Sequence, residues 1–287
     1  MTGYAEGIRI LRLIQDLDGP NVNPDCQTRV LTHGRRVERA VVLLHGFTNC
    51  PKQFERLGEQ LFERGFNVVI PRYPRHGYRD RLTGEIAGLQ ADHLIAAAEQ
   101  ATNGAHGLGD RVTVAGLSLG GVLAAWQAQR RDDLERAVLI APLFGLQRIP
   151  GPLHPPLASL ARMLPNLWVW WDSSQKAALP PAHGYPRFST HAYAALFEVA
   201  GRVLRAARQA PPRTHGLAVI TNANEPGLDN GFTRVLVETW RRHGAEVRTQ
   251  EFRREEGLPH DLIDPAQPAQ RTDLVYPAVL AAIAGEP

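Results

Sequence analysis

Apolar residues fall into short, nearly continuous runs along the chain, and segments with helical spacing separate these runs. The runs at 40–44, 67–70, 112–115 and 136–141 are dominated by valine, leucine, isoleucine and alanine. Such runs are typical of parallel strands that are buried on both faces of a sheet. The sequence therefore predicts strands of a central sheet at these four places.

The segments between the runs predict helices. Residues 51–64 place apolar side chains at 54, 57, 61 and 62, with Pro51 suited to the first turn and Gly65 to the end. Further helices are predicted over 91–102 and 119–130. Because strand and helix alternate from residue 40 to residue 141, the pattern predicts an α/β fold built on a mostly parallel, doubly wound sheet.

The same reasoning extends to both ends of the chain. Residues 8–17 fit either a strand or a short helix, and residues 28–32 fit a strand. The alternation of helix and strand resumes near residue 190. The predicted elements there are helices over 190–208, 231–243 and 270–284, and strands over 216–221 and 246–252.

A proline-rich segment with several aromatic residues interrupts the alternation at residues 143–190. We interpret it as a cap over the carboxyl edge of the sheet, so that residues 1–142 and 191–287 form the core. Trp168 and Trp171 would pack the insertion onto the core, form one wall of a pocket, or do both.

Composition and charge narrow the class of protein. The chain has 287 residues, of which 44% are hydrophobic and 21% are charged, as expected for a globular α/β domain. The net charge is +3. The basic residues form no stripe interleaved with aromatic residues, so we expect no nucleic-acid partner. No apolar run approaches the ~20 residues that a membrane span needs, and residues 1–7 lack the features of a secretory signal. We therefore expect a cytoplasmic protein.

The chain contains two cysteines, Cys26 and Cys50. Two cysteines alone cannot form a zinc site, and no group of cysteine and histidine residues has the spacing of metal ligands, so we expect no metal. We favour two free, partly buried thiols. The alternative is one disulfide that ties the N-terminal region to the loop after residue 45, because pairing depends on a Cα separation that the sequence does not give.

The motif Gly-x-Ser-x-Gly at residues 116–120 stands between a predicted strand and a predicted helix. So sharp a reversal strains the backbone of Ser118, and bulky residues at 116 or 120 would clash, which explains both glycines. The turn exposes the serine hydroxyl at the carboxyl edge of the sheet and points the first amides of the helix at the same place. This is the geometry that an acyl-transfer nucleophile needs.

A serine nucleophile needs a base, and the base needs a carboxylate that orients it. His260 follows the last predicted strand and precedes the final helix, which makes it the candidate base. The loop after the strand at 216–221 offers two carboxylates. We favour Glu225 as the acid and keep Asp229 as the alternative, although Asp229 also stands where it would cap the next helix.

The carbonyl oxygen of the substrate needs two hydrogen-bond donors. One candidate is the backbone N–H of Leu119, the residue after the nucleophile. The other is the N–H of Phe47, in the His-Gly-Phe-Thr loop that follows the strand at 40–44. We expect His45 to be a structural hydrogen-bonding residue, and Thr48 is a weaker candidate for a further side-chain donor.

These motifs resemble those of the α/β-hydrolase superfamily. His-Gly-Phe-Thr at 45–48, Gly-Leu-Ser-Leu-Gly-Gly at 116–121 and the order Ser118, Glu225, His260 are similar to bacterial carboxylesterases and monoacylglycerol-lipase-like enzymes. The resemblance implies an α/β-hydrolase fold with a lid and a serine ester hydrolase that uses no metal or organic cofactor. The family more often has aspartate in the acid position, so Glu225 is a departure that keeps Asp229 as a rival.

The resemblance and the motifs together predict hydrolysis of a small-molecule ester through an acyl-enzyme. Because the predicted cap is aromatic and apolar, we expect an acyl or aryl ester and not a highly charged substrate. Within that class we favour a short- to medium-chain acyl ester, or the monoacylglycerol-like ester that the resemblance implies. Alternatives are an acyltransferase, an amide or lactone hydrolase with the same triad, or a non-catalytic ligand-binding relative. The residues predicted to line the substrate pocket are Trp168, Trp171, Tyr78 and Phe144.

Three arginines, Arg72, Arg75 and Arg79, follow the strand at 67–70 and so lie at the same edge of the predicted sheet. They have the chemistry to recognise a carboxylate or phosphate on a substrate. We favour the simpler interpretation that they are solvated charges of a loop.

Overall fold

The computed structural model describes residues 3–147, 149 and 160–286. Its strands are β1 (Arg29–Leu31), β2 (Val37–Leu44), β3 (Asn67–Ile70), β4 (Gly109–Leu117), β5 (Arg136–Ile140), β6 (Trp168–Trp170), β7 (Arg187–Ser189), β8 (Gly216–Asn222) and β9 (Val247–Phe252). Its principal helices are α1 (Tyr4–Gln15), α2 (Glu55–Glu63), α3 (Ala91–Leu108), α4 (Leu119–Arg130), α5 (Thr190–Gln209), α6 (Asn230–Arg242) and α7 (Thr272–Ala284).

Among the residues that the structure describes, seven strands form one sheet in the order β1-β3-β2-β4-β5-β8-β9. Only β1 runs antiparallel to its neighbour, and every other pair is parallel. The predicted α/β architecture with a mostly parallel sheet is therefore confirmed. Because the six parallel strands point the same way, the segments that follow them all emerge at one edge of the sheet.

The apolar runs bury both faces of the sheet. In β2, Ala40, Val42 and Leu44 belong to one hydrophobic cluster, whereas Val41 and Leu43 belong to the cluster on the other face. This alternation follows from the two-residue period of a strand. A strand with helices on both sides has no polar face, which is why these runs are continuously apolar.

Several element boundaries differ from the prediction. Of residues 8–17, which fitted a strand or a short helix, residues 8–15 belong to helix α1, which begins earlier, at Tyr4. The predicted helix over 51–64 begins as a 3₁₀ turn at Pro51–Phe54 before α2 starts. Helix α3 continues to Leu108 instead of ending at residue 102 and is followed at once by β4.

Helix α1 packs against α3 through glycines. A Cβ atom added to Gly7 would lie 2.6 Å from the carbonyl oxygen of Gly104 and 2.8 Å from the Cα of Gly107. The backbones therefore approach more closely than any residue with a side chain would allow. This contact holds the N-terminal helix against the face of the sheet that α3 covers.

The insertion between β5 and α5 contains a small antiparallel pair, in which β6 runs opposite to β7. Residues 148 and 150–159 of the predicted cap lie outside the described residues. The division into a core and a cap at residues 143–190 stays a prediction. Helix α5 begins at Thr190, as the sequence indicated.

Cys26 and Cys50 form a disulfide, with their Cα atoms 5.2 Å apart. The expectation of two free thiols is therefore wrong. Cys26 ends a short 3₁₀ turn and Cys50 precedes another, and both side chains are fully buried beside Val22. The bond ties the N-terminal region to the loop that follows β2.

Among the helices of the described residues, none is long and apolar enough to cross a membrane.

Candidate active site

Ser118 lies in the sharp turn between β4 and α4. Its backbone adopts φ 58° and ψ −112°, a left-handed conformation that costs a residue with a side chain about 1–3 kcal/mol. Its N–H donates to the carbonyl of Ile140 at 2.9 Å, and its own carbonyl accepts from Val122 at 3.1 Å. The strand on one side and the helix on the other thus hold the strained residue in place.

The two glycines of the motif make this turn sterically feasible. A Cβ on Gly116 would overlap the backbone of Gly120, and a Cβ on Gly120 would overlap the carbonyl of Leu44 at the end of β2. The start of α4 therefore touches the beginning of the loop that holds Phe47. Leu119 is the first residue of α4, so its N–H has no acceptor within the helix.

His260 and Glu225 are hydrogen-bonded to each other. The ring Nδ1 of His260 lies 2.9 Å from Oε1 and 3.0 Å from Oε2 of Glu225. The Glu225 side chain is buried, whereas 31% of the His260 side chain remains exposed. Asp229 instead caps α6, where its carboxylate accepts from the N–H of Gly231 at 2.8 Å.

The surroundings of His260 raise its pKa above the ordinary value. Burial lowers the pKa, but the charge of Glu225, the hydrogen bond to Glu225 and the charge of Asp261 together outweigh it. The net effect favours the protonated ring. A histidine of this kind accepts a proton more readily than one in water.

Two asparagines at the end of β8 fix the loop that presents His260. Asn222, which is fully buried, donates to the carbonyls of Leu258 and Pro259 at 3.0 and 3.1 Å. Asn224 donates to the same Leu258 carbonyl at 3.0 Å. The segment that precedes His260 is thus held by asparagine side chains, in addition to the hydrogen bond between Glu225 and His260.

The loop after β2 holds Phe47 and is itself tightly bonded. His45 is fully buried; its Nδ1 donates to the carbonyl of Gly46 at 2.9 Å, and its Nε2 accepts from the N–H of Tyr73 at 3.4 Å. Burial holds the pKa of His45 well below its usual range. Thr48 adopts a left-handed φ of 61°, and its hydroxyl oxygen accepts from the indole of Trp171 at 3.0 Å.

Two polar residues that the sequence interpretation did not single out join this loop to His260. Gln53 accepts from the N–H of Gly46 and donates to Asp261, at 2.7 Å in each case. Asp261 directly follows His260 in the chain. Gln53 and Asp261 lie 208 positions apart in the chain, so no local pattern indicated their contact. The one signal in the sequence was that an acidic residue stands next to the candidate base.

Of the residues predicted to line a pocket, Trp171 lies beside Phe47. Phe47, Trp171, Phe188 and Tyr193 form an aromatic cluster, in which the Phe47 ring centroid is 5.5 Å from that of Tyr193 and 6.4 Å from that of Trp171. Trp171 is 45% exposed. Phe188 and Tyr193 were not predicted, because β7 and the first turn of α5 bring them here only in the folded chain.

The other predicted pocket residues have different surroundings. Trp168 is half-buried beneath the guanidinium of Arg187. Tyr78 packs against the disulfide, and its N–H donates to the Tyr185 hydroxyl at 3.0 Å. Phe144 is buried in the hydrophobic core, with 2% of its surface exposed.

Arg72 is not a solvated charge, so that expectation is wrong for this residue. Its guanidinium is buried and pairs with Asp18 at 2.5 Å. It also donates to the carbonyls of Leu17 and His76 at 2.7 and 3.0 Å. With its donors engaged by the protein, Arg72 holds the N-terminal region against the loop after β3.

Within the described residues, no hydrogen bond joins the Ser118 hydroxyl to a ring nitrogen of His260. Ser118 is 5% exposed, and both residues follow strands whose carboxyl ends share one edge of the sheet. Nδ1 of the His260 ring is hydrogen-bonded to Glu225. Nε2 is therefore the nitrogen that can face another group.

Comparison with known proteins agrees with this architecture. A thermostable monoacylglycerol lipase from Bacillus sp. (strain H-257) is 29% identical over 96 residues, which are 33% of this chain and 36% of the length of that lipase. One of the metagenome-derived lipolytic enzymes LipS and LipT has a similar structure, with a TM-score of 0.70 and 20% identity over 92% of this chain and 100% of that one. A monoacylglycerol lipase from Paleococcus ferrophilus has a TM-score of 0.68 and 18% identity over 90% of this chain and 98% of that one.

These structural similarities establish the α/β-hydrolase fold that the sequence predicted. The family described as serine aminopeptidase, S33, matches residues 35–196, which are more than half of the chain. The matched segment includes the loop with Phe47 and the turn at Ser118. The chain therefore belongs to the serine aminopeptidase S33 family of α/β hydrolases.

Proposed function

We propose that this serine hydrolase cleaves carboxylic esters through an acyl-enzyme. The observation that supports this most directly is the hydrogen-bonded pair of His260 and Glu225, which lies at the same edge of the sheet as the strained turn at Ser118. A histidine held at Nδ1 by a carboxylate presents Nε2 to a hydroxyl, which is the arrangement that a serine nucleophile requires.

In the first half of the reaction, the Ser118 oxygen attacks the ester carbonyl and its proton passes to Nε2 of His260. Glu225 stabilises the imidazolium that forms, while the N–H groups of Phe47 and Leu119 donate to the oxyanion. The tetrahedral intermediate then expels the alcohol, which takes the proton from His260. Water attacks the acyl-enzyme by the same sequence and releases the acid.

The serine and the histidine must come into hydrogen-bond contact for this reaction. Catalytic hydrogen bonds are often long before substrate binds and tighten in the reacting complex. Because Glu225 already fixes the histidine ring, we propose that the Ser118 side chain makes the adjustment. The raised pKa of His260 suits a base that takes up a proton in the transition state.

We propose a small-molecule ester with an apolar acyl group, of short to medium length or monoacylglycerol-like, as the substrate. The aromatic cluster offers such a group an apolar surface beside Phe47. The similarity to the Bacillus monoacylglycerol lipase supports the same class, although it spans only part of either chain.

The test is the substitution Ser118→Ala, assayed with p-nitrophenyl esters of graded acyl length. We expect turnover to fall by about 10⁴-fold or more, because the nucleophile is lost. A fluorophosphonate probe should label the wild-type protein at Ser118 and leave the variant unlabelled. Retention of most esterase activity by the folded variant would refute the assignment.

A further inference from the structure

The loop after β2 and the loop that presents His260 are connected through side chains that have no place in the reaction described above. On the basis of the ester hydrolysis proposed above, we propose that Gln53 and Asp261 are positioning residues. Together they hold the Phe47 amide in a fixed position relative to His260. Neither residue needs to touch the substrate. Their role is to connect two separate parts of the active site.

Gln53 uses both ends of its side-chain amide for this connection. Its Oε1 accepts from the N–H of Gly46 at 2.7 Å, and its Nε2 donates to Oδ2 of Asp261 at 2.7 Å. The residue is 2% exposed, so water does not compete for these hydrogen bonds. Gly46 immediately precedes Phe47, and Asp261 immediately follows His260.

The peptide unit that contains the Phe47 N–H is also held through its carbonyl group, which belongs to Gly46. The carbonyl of Gly46 belongs to the same planar peptide unit as the N–H of Phe47. That carbonyl accepts from Nδ1 of His45 at 2.9 Å and from the N–H of Asn49 at 3.3 Å. Gln53 accepts from the N–H of Gly46, and His45 and Asn49 donate to its carbonyl. These hydrogen bonds together determine the direction of the Phe47 N–H.

Asp261 collects several donors on one carboxylate oxygen. Besides Gln53, Oδ2 accepts from Asn49 at 3.2 Å and from Gln267 at 3.0 Å. Oδ1 accepts from the N–H of Asp264 at 3.3 Å. Because Asn49 and Gln53 both belong to the loop after β2, Asp261 is held to that loop by two hydrogen bonds.

Such a connection affects the reaction rate because an oxyanion donor must lie within about 2.7–3.1 Å of the developing charge. A misplacement of about 1 Å can cost about 10²-fold in rate. The interaction strengthens only as the oxyanion forms, so its loss lowers kcat and leaves KM much less changed.

Asp261 also influences His260 electrostatically. Its charge is one of the causes that raise the pKa of His260. Burial and the neighbouring Asp264 raise the pKa of Asp261 itself to about 6, against the hydrogen bonds from Gln53 and Gln267 and the charge of His260. Further titratable groups near Asp261 and Asp264, among the described residues, include His183, whose Nε2 lies 2.8 Å from Oδ2 of Asp264, and Tyr276 of α7. Arg56 and Glu59 of α2 act electrostatically on Tyr276 as well.

The first experiment compares Gln53→Ala with Gln129→Ala. Gln129 is an equally suitable buried glutamine, since it donates to the carbonyls of Ala210 and Pro211 and accepts from Trp240, remote from the site. We expect Gln53→Ala to lower kcat by about 10²-fold with KM much less changed. Gln129→Ala should leave both constants near the wild-type values, although it lowers thermal stability.

A second experiment tests the contact itself by a double-mutant cycle with Gln53→Glu and Asp261→Asn. Gln53→Glu places a second carboxylate against Asp261, so we expect kcat to fall at neutral pH. Adding Asp261→Asn removes the repulsion and restores a donor–acceptor pair. The double variant should therefore be at least about tenfold more active than Gln53→Glu alone, a coupling typical of residues in contact.

The pH dependence of kcat/KM gives a readout that a purely structural role would not change. Removing the Asp261 charge removes one of the causes that raise the pKa of His260. Since the base must be neutral to act, the acidic limb of the profile should move to lower pH in Asp261→Asn. An acidic limb that stays at the wild-type pH would contradict the electrostatic part of the proposal.

The outcomes separate this inference from the proposed function. If the wild-type protein hydrolyses no ester and is not labelled by the fluorophosphonate probe, the proposed function fails. If the wild-type protein is active but Gln53→Ala matches Gln129→Ala in kcat, or the effects of Gln53→Glu and Asp261→Asn simply add, the positioning role is overturned and the function stands.

Discussion

At position 118, a residue with a side chain adopts a backbone conformation that glycine would adopt without strain. The neighbouring glycines allow this by letting the backbones of β2, β4 and α4 approach one another. Strain of this kind persists only where the surrounding structure enforces it. Here the strand ladder on one side and the helix on the other supply that constraint.

The acid of the proposed triad can be identified by exchanging single carboxylates for amides. Glu225→Gln removes the charge that stabilises the imidazolium, so we expect kcat to fall on the order of 10⁴-fold. Asp229→Asn should have little effect, because asparagine caps a helix as well as aspartate does. Steady-state hydrolysis of a p-nitrophenyl ester measures both variants.

Circular dichroism and thermal unfolding of the two variants show whether each remains folded. A larger loss of activity in Asp229→Asn than in Glu225→Gln would reverse the assignment of the acid. Equal, small losses in both would mean that neither carboxylate assists His260.

Sequence reasoning at this scale succeeded where the signal was local. The turn at Ser118 could be predicted because two glycines, a strand and a helix lie within fifteen residues. Gln53 was missed because a glutamine in a short 3₁₀ turn has no distinctive local pattern. Arg72 was misjudged because its partner, Asp18, lies 54 positions earlier in the chain.

The close packing of helix α1 against helix α3 depends on glycines, which have no side chain to keep the two backbones apart. Gly7→Ala would place a methyl group 2.6 Å from the carbonyl oxygen of Gly104 and force the helices apart. Overpacking of this kind costs about 1–3 kcal/mol. We expect the free energy of unfolding, measured with urea, to fall by about that amount.

The same substitution within helix α5 provides the control. A Cβ on Gly201 would meet only the flexible end of Arg205, at 3.3 Å. Gly201→Ala should therefore stabilise the protein by up to about 1 kcal/mol, since alanine favours the helix more than glycine does. If Gly7→Ala were also stabilising, the close α1–α3 contact would not exist.

Element types were easier to predict than element ends. The four central strands β2, β3, β4 and β5 contain continuous apolar runs and were found from that property. Residues 8–17 remained undecided because apolar residues with interspersed arginines fit either element. In the structure, the helix that includes residues 8–15 packs against α3. Helix α3 extends beyond the predicted end at residue 102, and its Gly104 and Gly107 pack against α1.

The disulfide between Cys26 and Cys50 affects the molecule as a whole. It closes a loop between residues 24 positions apart, which spans β1 and β2. Closing a loop of this size removes enough freedom from the unfolded chain to stabilise the protein by about 3 kcal/mol. We expect the double substitution Cys26→Ala and Cys50→Ala to lower the free energy of unfolding by about that much.

Denaturant unfolding with and without dithiothreitol gives the control. The reductant should lower the stability of the wild-type protein towards that of the double variant and leave the variant unchanged. Insensitivity of the wild-type protein, together with two titratable thiols, would show that the cysteines are free.

At the scale of the whole molecule, the mostly parallel sheet could be predicted, because alternating strands and helices have few ways to pack. The disulfide and the bonds from Asp261 to the loop after β2 could not. They depend on which segments meet after the sheet has formed, and neither composition nor periodicity contains that information.

The hydrogen bond between Gln53 and Asp261 spans 208 positions, nearly three-quarters of the polypeptide. During translation, a nascent chain therefore acquires the serine turn long before the imidazole and its carboxylate leave the ribosome. The proposed triad is complete only when the segment after β9 has joined the sheet. We therefore expect a polypeptide that ends before His260 to contain the serine turn but to hydrolyse no ester, because the proposed base is missing.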